Sequence, residues 1–310
     1  MNVLVTGGRG FLGRRVVDIL VARGHTVVAP GHDDLDLASA TATQAWRPPV
    51  PVDGIVHVAA LVGGLGFVNT RRLEVMSKNF AINLGAVALA EALAVKWFVG
   101  VGSACAYPES AEPLHESMLW AGPLHDSVFA YGTTKRALEA LQRAWALENT
   151  RFSIHAILAN LYGPGDLMEE SRAHAATALV RRFVRAAAAS TPEVKVWGDG
   201  SAEREFLYVD DAAAGLVTLA EHAQEKWALP PTPTRVNLGT GTSTSMRKFM
   251  DTLVKAANYQ GKVVWDAQAP TGVGRKVLDV TTAKTRFGIE AKTSLEDGIT
   301  KAVAWEALRL

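Results

Sequence analysis

Tyr131 and Lys135 in "FAYGTTKRALEALQRAWALE" stand four residues apart, which places both on one face of the helix that the surrounding apolar period predicts. An ammonium beside a phenol lowers the phenol's pKa and can orient a nicotinamide ribose, so the tyrosine can exchange a proton with a carbonyl or hydroxyl. Tyr-x-x-x-Lys arises often by chance, and alone it reads as an amphipathic surface pair. Ser103 adds a third group. It ends the apolar run "WFVGVGS", at the carboxyl edge of a parallel strand where ligands of such sheets bind, and its hydroxyl can polarise the same oxygen. Two residues on is Cys105, the only cysteine of the 310-residue chain. Taken singly, Cys105 reads as a small core filler and His174 as a helix-start surface residue.

The elements that must position these groups show as alternating patterns. Apolar runs of strand length ("NVLVT", "HTVVA", "GIVHVAA", "FVGVGS") alternate with segments of helical period ("FLGRRVVDILVARG", the helix around "AVALAEALAV"). That order predicts an α/β fold, a Rossmann-type doubly wound parallel sheet. From about residue 161 the pattern loosens into loops and shorter elements, and a smaller C-terminal α/β substrate lobe is expected. The boundaries read as 1–164 plus about 208–240 for the dinucleotide-binding domain, and about 165–207 and 241–310 for the substrate-binding lobe, with a ligand between them.

The first strand ends in "VTGGRGFLG", where Gly7, Gly10 and Gly13 have the spacing T-G-x-x-G-x-x-G. The early glycines permit a tight turn that lets backbone amides approach a pyrophosphate, and Gly13 lets helix pack closely on strand. An NAD-specific site usually places a carboxylate at the end of the second strand to bind the ribose diol. This strand ends "VVAPGHDD", with Pro30, Gly31 and His32 at that point and Asp33 and Asp34 just beyond. Arg9 could pair with a 2′-phosphate and His32 could assist when protonated, so NADP (NADPH) is expected over NAD.

Lys plus Arg number 32 against 31 Asp plus Glu, a net charge of +1, which supplies no global field for nucleic acid or an anionic membrane. A small-molecule partner is expected, with no nucleic acid and no membrane. One cysteine excludes an intramolecular disulfide framework, and "MNVLVTGG" runs directly into a strand instead of an apolar targeting segment, so a cytoplasmic protein is expected.

Further motifs narrow the pattern: "AALVGGL" (59–65), "GSACAYP" (102–108), "NLYGPGD" (160–166), "RAHAATALVRRF" (172–183), "VWGDGSAEREFLYVDD" (196–211), "NLGTGT" (237–242) and "PTGVGRKVLDV" (270–280). Together with the glycine turn and the Ser-Tyr-Lys set, they resemble the GDP-L-fucose synthase family of extended short-chain dehydrogenases/reductases over essentially the whole chain. The resemblance implies an NADPH-dependent epimerase-reductase that inverts carbons 3 and 5 of GDP-4-keto-6-deoxymannose and then reduces carbon 4, giving GDP-L-fucose. It implies a proton-transferring cysteine and histidine, matched by Cys105 and His174. It implies a nicotinamide-side contact at Asn160 and nucleotide-sugar contacts at Arg182, Trp197, Arg204 and Lys276. It also implies a homodimer built on the helices around 75–95 and 131–149.

The chain departs from the family at Leu158 and Ala159 before "NLYGP", at Gly165 where histidine is frequent, and at Thr271 where aspartate is frequent. Relatives acting on GDP-heptoses share most of these motifs, and some epimerise without reducing or reduce without epimerising. A GDP-keto-sugar 3,5-epimerase or 4-reductase performing half the sequence therefore stays open. A non-catalytic NAD(P)-binding sensor or scaffold is the reading from another class, and loss of Tyr131 or Lys135 would favour it; both are present.

Overall fold

The apolar runs form the strands of a parallel sheet, seen in a computed structural model that describes residues 1–166, 173–227, 234–269 and 274–310. The strands are β1 (Asn2–Thr6), β2 (Thr26–Val28), β3 (Gly54–His57), β4 (Trp97–Ser103), β5 (Phe152–Leu158), β6 (Asn160–Tyr162), β7 (Glu193–Trp197), β8 (Glu203–Arg204), β9 (Phe206–Tyr208), β10 (Thr234–Leu238), β11 (Thr244–Ser245), β12 (Lys262–Asp266) and β13 (Arg275–Lys276). The helices are α1 (Phe11–Ala22), α2 (Ala40–Ala45), α3 (Leu65–Thr70), α4 (Arg72–Ala92), α5 (Phe129–Asn149), α6 (Ala175–Ala188), α7 (Val209–Lys226), α8 (Met246–Ala256), α9 (Thr281–Phe287) and α10 (Leu295–Ala307).

Six strands join in the order β10-β5-β4-β3-β1-β2, all parallel. The chain goes outward from β1 to β2 and returns to β3 on β1's other side, so the order reverses between β1 and β3 and opens a crevice at their carboxyl ends. Apolar residues of α1 and α7, such as Val16 and Leu216, cover one face of the sheet. Leu89 of α4 and Trp145 of α5 belong to the core on the other face. Burial on both sides explains why β4 and β5 are nearly continuous apolar runs.

A separate core joins α6, β7, α8 and α10 around Phe183, Val196, Phe249 and Ile299. Short strands tie it together: β12 with β7, β6 with β9, and β11 and β13 on either side of β8. Ala283 and Phe287 of α9 pack on the first core. Glu205 locks the seam between these parts, accepting from the Leu278 amide at 2.7 Å and from the amides of Thr240 and Gly241. Two motifs far apart in sequence, "NLGTGT" and "RKVLDV", thus converge on one buried carboxylate, which burial pushes above its ordinary pKa despite those donors.

Candidate active site

Ser103 is the last residue of β4, and its Oγ accepts a hydrogen bond from the Cys105 amide at 3.2 Å. That bond caps a single 3₁₀ turn, Ala104–Ala106, which carries the thiol around the carboxyl edge of the sheet. The first turn of α5 lies directly on it: a Cβ at Gly132 would collide with the Cys105 carbonyl, so only glycine permits this approach. Tyr131, the neighbour of that glycine, is thereby brought beside Cys105.

Lys135 follows one helical turn later and is buried; its Nζ donates to the Val101 carbonyl at 2.8 Å and lies 5.4 Å from the Tyr131 ring centroid. Burial lowers the Lys135 pKa to about 8, while the charge of Cys105 works in the opposite direction. For Tyr131 the sequence-based expectation is reversed. Burial first, and the charge of Cys105 second, hold its phenol above the ordinary value, where Lys135 was expected to lower it. Desolvation of the phenolate outweighs a lysine whose ammonium is already bound to a carbonyl. Tyr131 is therefore held protonated, the state that donates to an oxyanion.

Arg204 in β8 and Lys276 in β13 are adjacent across the strand pair. Burial lowers the pKa of each, and Cys105 is the next influence on both. Arg204 Nη1 donates to the Glu203 carbonyl at 2.8 Å. Tyr131, Lys135, Arg204 and Lys276, from three elements, thus all lie within electrostatic reach of Cys105.

His174 enters from the residue before α6, with its ring 6.1 Å from that of Phe11. Its Nδ1 lies 3.0 and 3.1 Å from the two carboxylate oxygens of Asp166, and its amide donates to the same carboxylate at 3.2 Å. Asp166 stands inside "NLYGPGD", where nothing in the sequence marks it as the partner of His174. Arg14, whose side chain donates to the Gly165 carbonyl, was missed as well.

The remaining site candidates scatter. Asn160 is exposed, with Nδ2 donating to the Glu205 carbonyl at 2.9 Å. Arg182 is exposed on α6, next to Arg181, which is buried against Glu306 of α10. Trp197 ends β7 with 62% of its surface exposed. Leu158 and Ala159 are buried at the end of β5, and Thr271 lies outside the described residues.

At the first strand Gly7 adopts φ +70°, and a Cβ there would meet the Ala59 backbone at 2.7 Å. The N-cap of α1 is Gly10, with no side-chain cap and no acidic residue in the first turn, which leaves the first amides of the helix for an anion. That cradle fits a dinucleotide pyrophosphate. Arg9 reaches the end of β2, where Asp34 stands too: its Oδ2 accepts from Arg9 Nη2 and from the Gly31 amide, both at 2.9 Å. His32 is exposed, 3.8 Å from Asp36.

Residues 3–239 match the family described as "NAD dependent epimerase/dehydratase family", and the chain belongs to it. It is 34% identical over 308 residues to the GDP-L-fucose synthase of Escherichia coli (strain K12), covering 98% of this chain and 96% of that protein. A GDP-L-fucose synthetase from Naegleria fowleri, solved bound to NADP, superposes with a TM-score of 0.84 at 25% identity, over 98% of this chain and 93% of that one. A GDP-6-OMe-4-keto-L-xylo-heptose reductase from C. jejuni gives a TM-score of 0.88 at 21% identity, over 100% and 98% of the two chains, a likeness of fold.

Proposed function

We propose that the chain is an NADPH-dependent epimerase-reductase that converts GDP-4-keto-6-deoxymannose to GDP-L-fucose. The observation that carries the reading is that Cys105, one 3₁₀ turn from Ser103, lies against the first turn of the helix that bears Tyr131 and Lys135 and within electrostatic reach of Arg204 and Lys276. The match to the E. coli protein along 98% of the chain supports the same substrate.

The 4-keto group acidifies the protons on carbons 3 and 5. Cys105 removes such a proton, the electron pair moves onto O4, and His174 returns a proton to the carbon from the opposite face. Arg204 and Lys276 hold the pyrophosphate of the sugar nucleotide by charge-assisted hydrogen bonds, with Arg182 and Trp197 reaching the nucleotide from the exposed side. The glycine turn would hold NADPH, with Arg9 and His32 available to its 2′-phosphate and Asn160 to its nicotinamide, and the cofactor when bound would supply the hydride for carbon 4. Tyr131 gives its proton to O4 as the oxyanion forms, Ser103 Oγ hydrogen-bonds the same oxygen, and the Lys135 ammonium stabilises the phenolate left behind.

The reading carries a homodimer formed through α4 and α5, where Leu73, Leu84 and Leu147 are exposed, and a cytoplasmic location. Among the described residues no helix is long and apolar enough to cross a membrane. The substrate lobe comprises about 165–207 and 241–310, with α9 resting on the dinucleotide half.

Incubation with GDP-4-keto-6-deoxymannose in deuterated water tests the assignment. Deuterium is expected at carbons 3 and 5 without NADPH, and GDP-L-fucose with it. Cys105→Ser should lose deuterium uptake and release the unepimerised 4-reduced sugar, because a hydroxyl is far too weak an acid to supply the base. Unchanged product stereochemistry in that variant would reject the epimerase role. Uptake without reduction, or reduction without uptake, would leave half the sequence; neither would leave a non-catalytic dinucleotide-binding protein.

A further inference from the structure

We propose that Asp166 is the positioning residue of His174, and that Arg14 of the dinucleotide-binding helix braces it. The proposal rests on the reading of His174 as a proton carrier, but its geometry stands independently.

The side chain of Asp166 is 0% exposed, against 33% for His174, so a buried carboxylate lies against a partly exposed imidazole. A buried carboxylate needs such partners to offset its desolvation. Asp166 grips His174 twice: one oxygen accepts from the backbone amide, and both lie within 3.1 Å of Nδ1. The first contact fixes where α6 begins and the second fixes the ring. A carboxylate accepts and never donates, so Nδ1 must carry the hydrogen, which leaves Nε2 as the nitrogen that gives or takes the proton.

Arg14 connects this pair to the cofactor half of the molecule. Its guanidinium donates to the Gly165 carbonyl and feels the charge of Asp166. Gly165 has φ +84°, and a Cβ there would run into the Arg14 guanidinium. Where relatives often carry a histidine, this chain has a bare backbone occupied from above by an arginine 151 residues earlier. Arg15 Nη2 adds a longer contact to the Pro164 carbonyl at 3.4 Å. The loop that presents Asp166 is thus held by the same helix whose uncapped N-terminus would face the cofactor.

Nitrogen-15 NMR of histidine-labelled protein reads the tautomer directly, with His174→Gln identifying the signal. In the unaltered protein neutral His174 is expected as the Nδ1–H form; an Nε2–H form would overturn the proposal, and this measurement needs no change at Asp166. In Asp166→Asn the carboxamide can donate to Nδ1 and the tautomer should switch to Nε2–H. Deuterium uptake should fall about 10- to 100-fold, part of the usual effect of an acid-base group, with the KM for NADPH within about twofold. A tautomer indifferent to Asp166→Asn, or a switch without loss of uptake, also overturns it. Were the unaltered protein to show no deuterium uptake, the function assignment would fall, while the tautomer would still decide the Asp166–His174 pair.

Discussion

Tyr131 and Lys135 move away from their ordinary pKa values in opposite directions, and burial is the leading cause of both: it disfavours the charged phenolate and the charged ammonium alike. The consequence is a proton donor that stays protonated and a cation close to losing its charge. Tyr131→Phe should lower carbon-4 reduction about a hundredfold or more, since the oxyanion loses its donor, while deuterium exchange persists. Near-normal NADPH oxidation in that variant would remove Tyr131 from the mechanism. Lys135 titrates near pH 8 in the folded protein, so it is cationic below that and neutral above. The rate of reduction should therefore fall on the alkaline side of about pH 8. A limb that survives in Lys135→Met belongs to another group.

At the scale of elements, β4 does more than end in Ser103. His57, Gly100 and His155 lie side by side in register across β3, β4 and β5. The missing side chains of Gly100 and Gly102 make room for Gln142 of α5 and for the His155 imidazole. His155 Nδ1 is 2.7 Å from Gln142 Oε1, and Gln142 Nε2 donates to the Ile154 carbonyl at 3.1 Å, which stitches α5 to the sheet beneath Lys135. A Cβ on Gly102 would collide with the His155 ring. Gly102→Ala should therefore cost about 1–3 kcal/mol of stability and disturb the adjacent Ser103. Urea denaturation and the rate of reduction measure both; an unchanged midpoint would show that the α5 interface yields without cost.

For the whole molecule, His57 and His155 make folding sensitive to acid. Both are fully enclosed and neutral, with pKa values lowered to about 3, chiefly by burial and further by the charge of Lys135. The sign follows from comparison with the ordinary histidine value of 6.5. Between about pH 6.5 and 3 the unfolded chain binds two more protons than the folded one, so their contribution is fully present above pH 6.5 and is lost as pH falls towards 3. The slope from these two groups approaches about 2.7 kcal/mol per pH unit. Denaturant midpoints measured from pH 7 to 4 should fall, and His155→Gln should flatten the dependence by up to half. A dependence equally steep in that variant assigns the acid sensitivity to carboxylates instead.

The sequence by itself determined the alternation of strands and helices, the glycine turn, Ser103 at a strand end and the Tyr131–Lys135 pair. Each of these is a local pattern, set by the two-residue period of a strand, the 3.6-residue period of a helix or the steric needs of one turn. Cys105 and His174 stood out only through motifs shared with a family, because a single cysteine or histidine has no period. The tertiary structure alone decided that Asp34 shares the end of β2 with Arg9, that Asp166 holds His174, that Arg14 reaches Gly165 and that Tyr131 is a weaker acid than a lysine neighbour suggests. The physical reason is common to them: desolvation and most of these partnerships arise when crossover connections bring together segments as much as 151 residues apart, and no spacing along the chain encodes that distance.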